Sequence, residues 1–398
     1  MAKIIDCDRH VIEPIDMWAE YTEKKVFENT PVKLLLDSEE KRLNRIKNLK
    51  LDVSLPPIYT LGDSSILGNW GETEQIASAL INGESKEERK KATNPVDQIV
   101  SMDEANIVTA KIFPTFAGYI TNHKAIDAKT SLAYTKAYNR WLSDYCNYDS
   151  VRLNGVGLIS RHDSASLVSQ VENVVKRGWS AITIRPEPIL GKTLGDPSYK
   201  PFWQACEYHN LAIAFHGGTH LQGSSVGIDR FSSRFALHSC AHPMEAQLAF
   251  VSLLAAGVLE RHPKLKFAFL EAGASWVPHW LWRLDNICYP EFPSLVKDNI
   301  KMLPSEYFKR QCWVAIEPGE PCLRQVIDVI GHEKLLYGSD YPHPDHLHLS
   351  AGDFTKQFTD LTETEIHCLL EHNAKSCFGT KELDIKKPTE SELLEVTL

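Results

Sequence analysis

The sequence predicts an α/β chain folded as a (β/α)8 TIM barrel, with a long insertion after its first strand. Three observations predict it. Short apolar runs rich in β-branched residues recur eight times along the 398 residues. Most are separated by segments with helical apolar spacing, such as "SASLVSQVENVVKRG" and "HPMEAQLAFVSLLAAGVLERHP". Each run closes on polar residues, Gly or Pro. Apolar runs alternating with helices mean parallel strands joined by crossover connections. Eight such units commonly take about 250 residues and grow by insertion.

The runs follow in order. "KIID" (3–6) is the first. "VTAKIFP" (108–114) is the second, after the amphipathic stretch "NPVDQIVSMDEANI". "LNGVGLIS" (153–160), "WSAITIRP" (179–186) and "LAIAFHGG" (211–218) are the third to fifth. "LKFAFLEAG" (265–273), "CWVAIEPGE" (312–320) and "KLLYGSD" (334–340) complete the set. Residues 11–95 break the rhythm, being far longer than a usual loop. They hold a charged helical piece, "DSEEKRLNRIKN", and a Pro/Gly/Leu region, "VSLPPIYTLGDSSILGNWGE". We read them as a lid whose Tyr59, Ile66 and Trp70 close a pocket. "GESKEERKKATN" reads as a solvated helix or exposed loop. Residues 1–380 form one domain, and 381–398 are a polar tail that docks late or serves an oligomer contact.

Composition narrows the class. Hydrophobic content of 43% and charged content of 24% are ordinary for a globular protein. A net charge of −9 argues against a nucleic-acid binder, which shows a basic face. No apolar run approaches the length of a membrane span. The start, "MAKIIDCDRH", brings Asp6 and Asp8 too early for a signal-peptide core. The expectation is a cytoplasmic protein. Nine Cys, an odd number without a CxxC pair, read as free, buried, small apolar residues.

The candidate site is the set of residues at the C-terminal ends of the runs, where barrels of this kind build their active sites. "DCDRH" places Asp8 and His10 two apart on an extended strand, so both point to one side. "AFHGG" ends the fifth run with His216, and Gly after it allows close approach. "YGSDYPHPD" ends the eighth with Asp340. In a closed barrel the first and eighth strands are neighbours, so the two ends of the chain meet, with His216 across the mouth. Two imidazoles and two carboxylates suit Zn2+, Mn2+ or Fe2+ and leave a position open. Asp-x-His or His-Gly-Gly alone is a weak signal; together, on the right strands, they are a strong one.

Other residues have a functional and a structural reading side by side. Glu271 ends the sixth run, as catalytic base or as partner of Arg283 or another cation. Arg185 ends the fourth, either to bind a substrate carboxylate through its fork or to form a salt bridge to a loop. His343 touches substrate or orients Asp340, or is a Pro-flanked turn histidine without a role. Asp6 reads as a residue at the strand start or behind the site. Glu317 lies where strand seven reaches toward the site. His238 and His242 read as loop or capping residues before a helix, with His238 the one to face the pocket. His346 and His348 read as surface. Trp276, Trp280 and Trp282 read as core.

"IDCDRHVIEP", "NPVDQIVSMDEANI", "AFHGG", "RHPKLKFAFLEAGASWVPHWLWRLD", "LLYGSDYPH" and "EHNAKSCFG" resemble the amidohydrolase superfamily. Within it the likeness is to the amidohydrolase-2 group, which includes the aminocarboxymuconate-semialdehyde decarboxylase-like enzymes. It covers residues 1–10 and 94–380 and leaves out the insertion and the tail. It implies a metal-dependent TIM barrel that hydrolyses, decarboxylates or hydrates small, usually carboxylated molecules, commonly as a homodimer. It implies metal ligands at Asp8, His10, His216 and Asp340, with Asp8 in a place that often holds His and in some branches Glu. Decarboxylases of the group end the sixth strand in a proton-handling His; this chain has Glu271 there. That departure sets the order of our expectations.

The first expectation is a metal-dependent hydrolase acting on a small organic amide, lactone or C–C bond substrate, carboxylated and possibly aromatic. A metal-activated water attacks, and Asp340 or Glu271 takes its proton. His343 assists, and Arg185 binds substrate. One divalent ion is expected, with Zn2+ first and Mn2+ or Fe2+ as alternatives. The second expectation is a non-oxidative decarboxylase of a small aromatic acid. A rival from another class is a metal-free barrel that only binds or scaffolds.

Overall fold

The computed structural model describes residues 3–35, 58–65, 86–218, 224–231, 234–317, 319–343, 358 and 360–379. Every one of the eight predicted runs contains strand. These are β1 (Ile4–His10), β5 (Ile107–Phe113), β6 (Leu153–Gly155) with β7 (Gly157–Leu158), β8 (Ala181–Ile184), β9 (Ala212–His216), β10 (Lys266–Leu270), β11 (Cys312–Ile316) and β12 (Leu335–Tyr337). The third run is split at Val156. Two parallel sheets result, one in the order β1-β5-β6 and one in the order β12-β11-β10-β9-β8-β7. Backbone hydrogen bonds also join them. At one seam Asp340 N donates to Asp8 O and His10 N to Tyr341 O, both at 2.7 Å. At the other, Val156 N donates to Ile112 O at 3.1 Å.

Side-chain size along the strands explains the layering. Ala212, Ala214, Ala268 and Leu270 join Ile5, Cys7, Phe113, Trp313, Ala315 and Leu336 in one buried cluster. Their alternates, Ile213, Phe215, Phe267 and Phe269, join a larger cluster with residues of the surrounding helices. Period two thus puts one set of side chains on the inner face and its alternates against the helices, with alanines inside and large residues outside most clearly along β9. Fully burying each Phe is worth roughly 1.5–3 kcal/mol. His216 shares the parity of Ala212 and Ala214, so the same alternation carries it to the inner face.

Strand β1 needs one more device. Asp6 pairs with Ala110 and Arg9 with Ile112, so β1 spends one residue more than its partner over this stretch. That is a β-bulge, which bends the strand and re-aims its side chains. Ile5 and Cys7 therefore face inward below it, while Asp8 and His10 reach the site above it.

The helices start where local chemistry favours it. Asn94 caps the helix Pro95–Glu104 by accepting from Val96 N at 2.8 Å, with Pro at its first position. Asp127 caps Ala128–Cys146 by accepting from Thr130 N at 2.7 Å. The described part of the insertion has helices Ile15–Tyr21 and Lys24–Asn29. It also forms an antiparallel sheet of β2 (Val32–Leu35), β3 (Ile58–Leu61) and β4 (Ser64–Ser65), which our reading lacked. Its first part leans on Ala128–Cys146, where Tyr21 donates to Asp144 at 2.8 Å. "GESKEERKKATN" contains the helix Lys86–Lys91. The piece 37–48, Ile66, Trp70, His346, His348 and the tail 381–398 lie outside the described residues, as does the side chain of Tyr59.

Two expectations need correction. His238 and His242 do not precede a helix; they lie within the helix Arg234–Ala255, which runs on through Pro243. Trp282 is not core but 55% exposed, whereas Trp276 and Trp280 pack against the core. All nine Cys are free. Among the described residues no helix is long and apolar enough to cross a membrane.

Candidate metal centre

Four side chains converge at the C-terminal strand ends. Asp8, His10, His216 and Asp340 offer ligand atoms that all lie within 4.8 Å of one another. His10 Nε2 is 3.2 Å from Asp8 Oδ1, 3.0 Å from Asp340 Oδ1 and 3.0 Å from His216 Nε2. His216 Nε2 is 3.3 Å from Asp8 Oδ1. Atoms bound tetrahedrally at about 2.0–2.2 Å from an ion lie roughly 3.3–3.6 Å apart. The spacing here is close to that.

The tautomers fit as well. His10 Nδ1 is 2.8 Å from Pro114 O, which only accepts, so Nδ1 carries the proton. His216 Nδ1 faces Gly217 O and Glu271 Oε2, both at 3.3 Å and both acceptors. Each neutral ring therefore turns a bare Nε2 toward the other and toward two carboxylates. Buried Asp8 Oδ1 has no hydrogen-bond partner. Such a set of lone pairs fits a divalent cation. Burial alone would raise the Asp8 carboxyl, but His216 and His10 outweigh it and hold it below its usual value. Burial alone would lower His10, but Asp340 and Asp8 outweigh it and hold the imidazole well above its usual value. A proton and a metal ion compete for the same atoms.

The surrounding residues fix these four. His343 Nδ1 is 2.8 Å from Asp340 Oδ1, and its Nε2 is 3.0 Å from Thr115 Oγ1. Asp340 sits at φ 49° and Glu271 at φ 51°, both left-handed and costly for residues with a side chain. Asp6 is buried behind the site, as expected. It accepts from Ser339 N at 2.9 Å and Ser339 Oγ at 2.6 Å, and pairs with Arg9 at 3.5 Å. The Arg9 guanidinium lies 4.0 Å over the Tyr341 ring. Glu13 accepts from the backbone N–H of Thr115, Phe116 and Ala117 at 2.9–3.1 Å. It thereby ties the loop after β1 to the loop after β5. Our sequence reading singled out neither Arg9 nor Glu13. An acidic residue directly before Pro14 and three past His10 was the only trace of Glu13.

The remaining candidates divide. Glu271 does not pair with Arg283. Its Oε2 is 3.3 Å from His216 Nδ1 and 3.4 Å from His242 Nδ1. Glu271, Asp340 and His343 also offer atoms within 4.8 Å of one another. Burial would raise the Glu271 carboxyl, yet His242 and His216 hold it far below its usual value despite Asp340 nearby. Arg185 is buried with every nitrogen engaged. Nε and Nη2 donate to Glu187 at 3.1 and 2.6 Å, Nη1 donates to Gly217 O at 2.5 Å, and Nη2 also reaches Gly218 O at 3.1 Å. The salt-bridge reading of Arg185 is the one seen. Glu317 donates its backbone N–H to Glu320 at 2.9 Å, and its side chain lies beside Gly273. His242, from the helix, is beside Glu271.

Parallel strands flanked by helices, with imidazoles and carboxylates gathered at the strand C-termini, define a TIM-barrel-like metal-binding enzyme class. A family model described as amidohydrolase matches residues 5–380. The chain belongs to that family, amidohydrolase-2, and is an enzyme of it. It is 26% identical over 284 residues to the 2-amino-3-carboxymuconate-6-semialdehyde decarboxylase of Dictyostelium discoideum, covering 71% of this chain and 75% of that protein. An amidohydrolase from Mycobacterium avium subsp. paratuberculosis K-10 shares the fold at a TM-score of 0.74 and 24% identity, over 95% of this chain and 99% of that one. The 5-carboxyvanillate decarboxylase of Novosphingobium aromaticivorans, complexed with manganese and 4-hydroxy-3-methoxy-5-nitrobenzoic acid, shares it at 0.64 and 15% identity, over 95% and 96% of the two chains.

Proposed function

We propose that this protein is a metal-dependent non-oxidative decarboxylase of a small, unsaturated or aromatic carboxylic acid. The carrying observation is the cluster of Asp8, His10, His216 and Asp340, with two bare Nε2 atoms facing two carboxylates. The sequence placed hydrolysis first on the strength of Glu271. The named relatives, two of them decarboxylases, support the reverse order. The manganese in one of them supports Mn2+ beside Zn2+ as the ion.

The four ligands would hold one divalent ion, which when bound draws electron density from a substrate's carboxylate and neighbouring oxygen. The chain supplies the rest. His10 and His216 are oriented by Pro114 O and Glu271, so their rings cannot swing away from the site. In the reaction the bond from the carboxyl carbon to the ring or chain carbon breaks and CO2 leaves. The electron pair left on that carbon takes a proton. Asp340, paired with His343, is the group we assign to deliver it. Arg185 holds the Gly217 and Gly218 carbonyls beside His216; a substrate carboxylate would compete with Glu187 for it.

With this reading go three further proposals. The two parallel sheets form one closed (β/α)8 barrel, supported by the hydrogen bonds at both seams. Residues 11–95 act as a lid that excludes water. The working unit is a cytoplasmic homodimer that takes a small molecule and neither nucleic acid nor membrane.

The test is a screen of small hydroxylated aromatic and unsaturated acids with Mn2+- and Zn2+-loaded protein, following CO2 and the product's mass. Loss of CO2 with a gained hydrogen supports the proposal. A product that gains water with no CO2 overturns it in favour of hydrolysis.

A further inference from the structure

We infer that His242 is a positioning residue. From the helix Arg234–Ala255 it holds Glu271 behind His216, so that His242, Glu271 and His216 form a chain of contacts fixing the metal-facing imidazole. This rests on the metal-centre reading above.

Glu271 is in an expensive place. It follows β10 directly and adopts φ 51°, a left-handed conformation that is costly for a residue with a side chain. Its strand parity alone would turn it away from the inner face that Leu270 occupies. The left-handed turn brings its carboxylate to His216 Nδ1 at 3.3 Å. Such a conformation persists only where its surroundings over-determine it. One buried side chain does this from outside the strand. His242 Nδ1 is 3.0 Å from Glu271 O and 3.4 Å from Glu271 Oε2. Both atoms are acceptors, so His242 Nδ1 carries a proton and serves main chain and carboxylate of the same residue.

His242 is itself well placed. It is buried, and it packs on Gly217, where an added Cβ would lie 3.9 Å from His242 Nδ1. It thus touches both the residue after His216 and the residue that orients His216. The next residue, Pro243, lies inside the helix and has no N–H to return to it.

A metal-ligating His almost always donates its second N–H to a carboxylate, carbonyl or water. Loss of that partner typically lowers metal affinity by about 10–100-fold. Here the carboxylate depends on a third residue, so the effect should pass through it. The test titrates Mn2+ into metal-free protein and compares wild type with His242→Ala, His242→Asn and Glu271→Gln. Asn keeps a donor near the Nδ1 position and lacks the rest of the imidazole.

We expect His242→Ala to bind Mn2+ about 10–100-fold more weakly. We expect His242→Asn within about threefold of wild type on the same reasoning that the donor matters. The double variant His242→Ala with Glu271→Gln should lose less than the two single losses combined, because both act on one contact. If His242→Ala does not fold by circular dichroism, His242→Met, of similar bulk and without a donor, replaces it. Wild-type affinity in His242→Ala, or an Asn variant as weak as the Ala one, overturns the inference. A wild type that binds no divalent ion overturns the metal-centre reading instead.

Discussion

At the residue scale, buried charge is organised around the strand ends, and not all of it belongs to the metal centre. Glu245 lies on the helix Arg234–Ala255, 1% exposed, and accepts from Val226 N at 2.5 Å. Glu187, Arg185 and Arg161 are the charged groups that act on it. Burial, reinforced by Glu187, pushes its carboxyl up to about 7, against partial relief from Val226 N and the two arginines. A carboxyl raised in the folded state binds its proton more tightly there than in the unfolded chain. Its contribution is complete below its ordinary value near 4.5 and is lost as pH rises through about 7. Wild type should therefore lose thermal stability between pH 5 and pH 8, and Glu245→Gln, which stays neutral, should lose less. Paired melting curves at the two pH values measure this. Equal losses in both proteins would show that Glu245 does not govern that slope.

At the element scale, β1 and the end of β12 carry three of the four proposed ligands on neighbouring backbones, and their separation has no slack. A Cβ added at Gly338 would lie 2.6 Å from Asp8 Cβ, below any real contact. Gly338→Ala must therefore push Asp8 or β12 aside. Overpacking of this kind typically costs about 1–3 kcal/mol, and Asp8 is a proposed ligand, so metal content should fall along with stability. Unfolding by urea and elemental analysis check both; full metal content in a stable Gly338→Ala protein would mean the strands can part freely. Behind the same seam, Asp6 takes two hydrogen bonds from Ser339 and pairs with buried Arg9. Removing one member of a buried ion pair typically costs about 3–5 kcal/mol, so Asp6→Ala should lower the urea midpoint strongly. A midpoint within about a tenth of wild type would place Arg9's true partner at Gln98 or Tyr341.

These elements also explain what could be read from the chain. Strands were legible because short apolar runs separated by helical segments have one physical cause, parallel strands buried on one side by each other's side chains and on the other by helices. Asp8, His10, His216 and Asp340 were legible because no turn needs such residues at the end of an apolar run. Glu271 was legible as a position but not as a role, since its role depends on a left-handed turn that strand parity does not foretell. His242 was placed ahead of a helix because Pro243 reads as a helix start, yet the helix runs through it. Glu13 and Arg9 work by satisfying groups about 90–100 residues away, and no local pattern records such partners. The β2–β3–β4 sheet escaped notice because its strands are short and β2 lies far along the chain from β3.

At the scale of the whole molecule, the metal centre joins the first strand to the last. Asp8 and His10 come from β1, His216 from β9, and Asp340 from the end of β12. An ion held by all four would cross-link segments more than 300 residues apart in sequence, and nothing in the unfolded chain would bring them together. Binding to the folded state alone stabilises by RT ln(1 + [L]/Kd), about 2.7 kcal/mol at a hundredfold excess over Kd. For a chain of this size each kcal/mol moves Tm by a few degrees at most, roughly 2–4 °C in somewhat smaller domains. Adding Mn2+ or Zn2+ to metal-free protein should therefore raise Tm by several degrees, and a chelator should reverse it. His216→Ala removes one of four ligands and should abolish most of the shift. Glu245→Gln, which leaves the ligands alone, should keep it. An equal rise in wild type and His216→Ala would mean the ion acts elsewhere on the surface, and the four-residue centre would no longer account for the stabilisation.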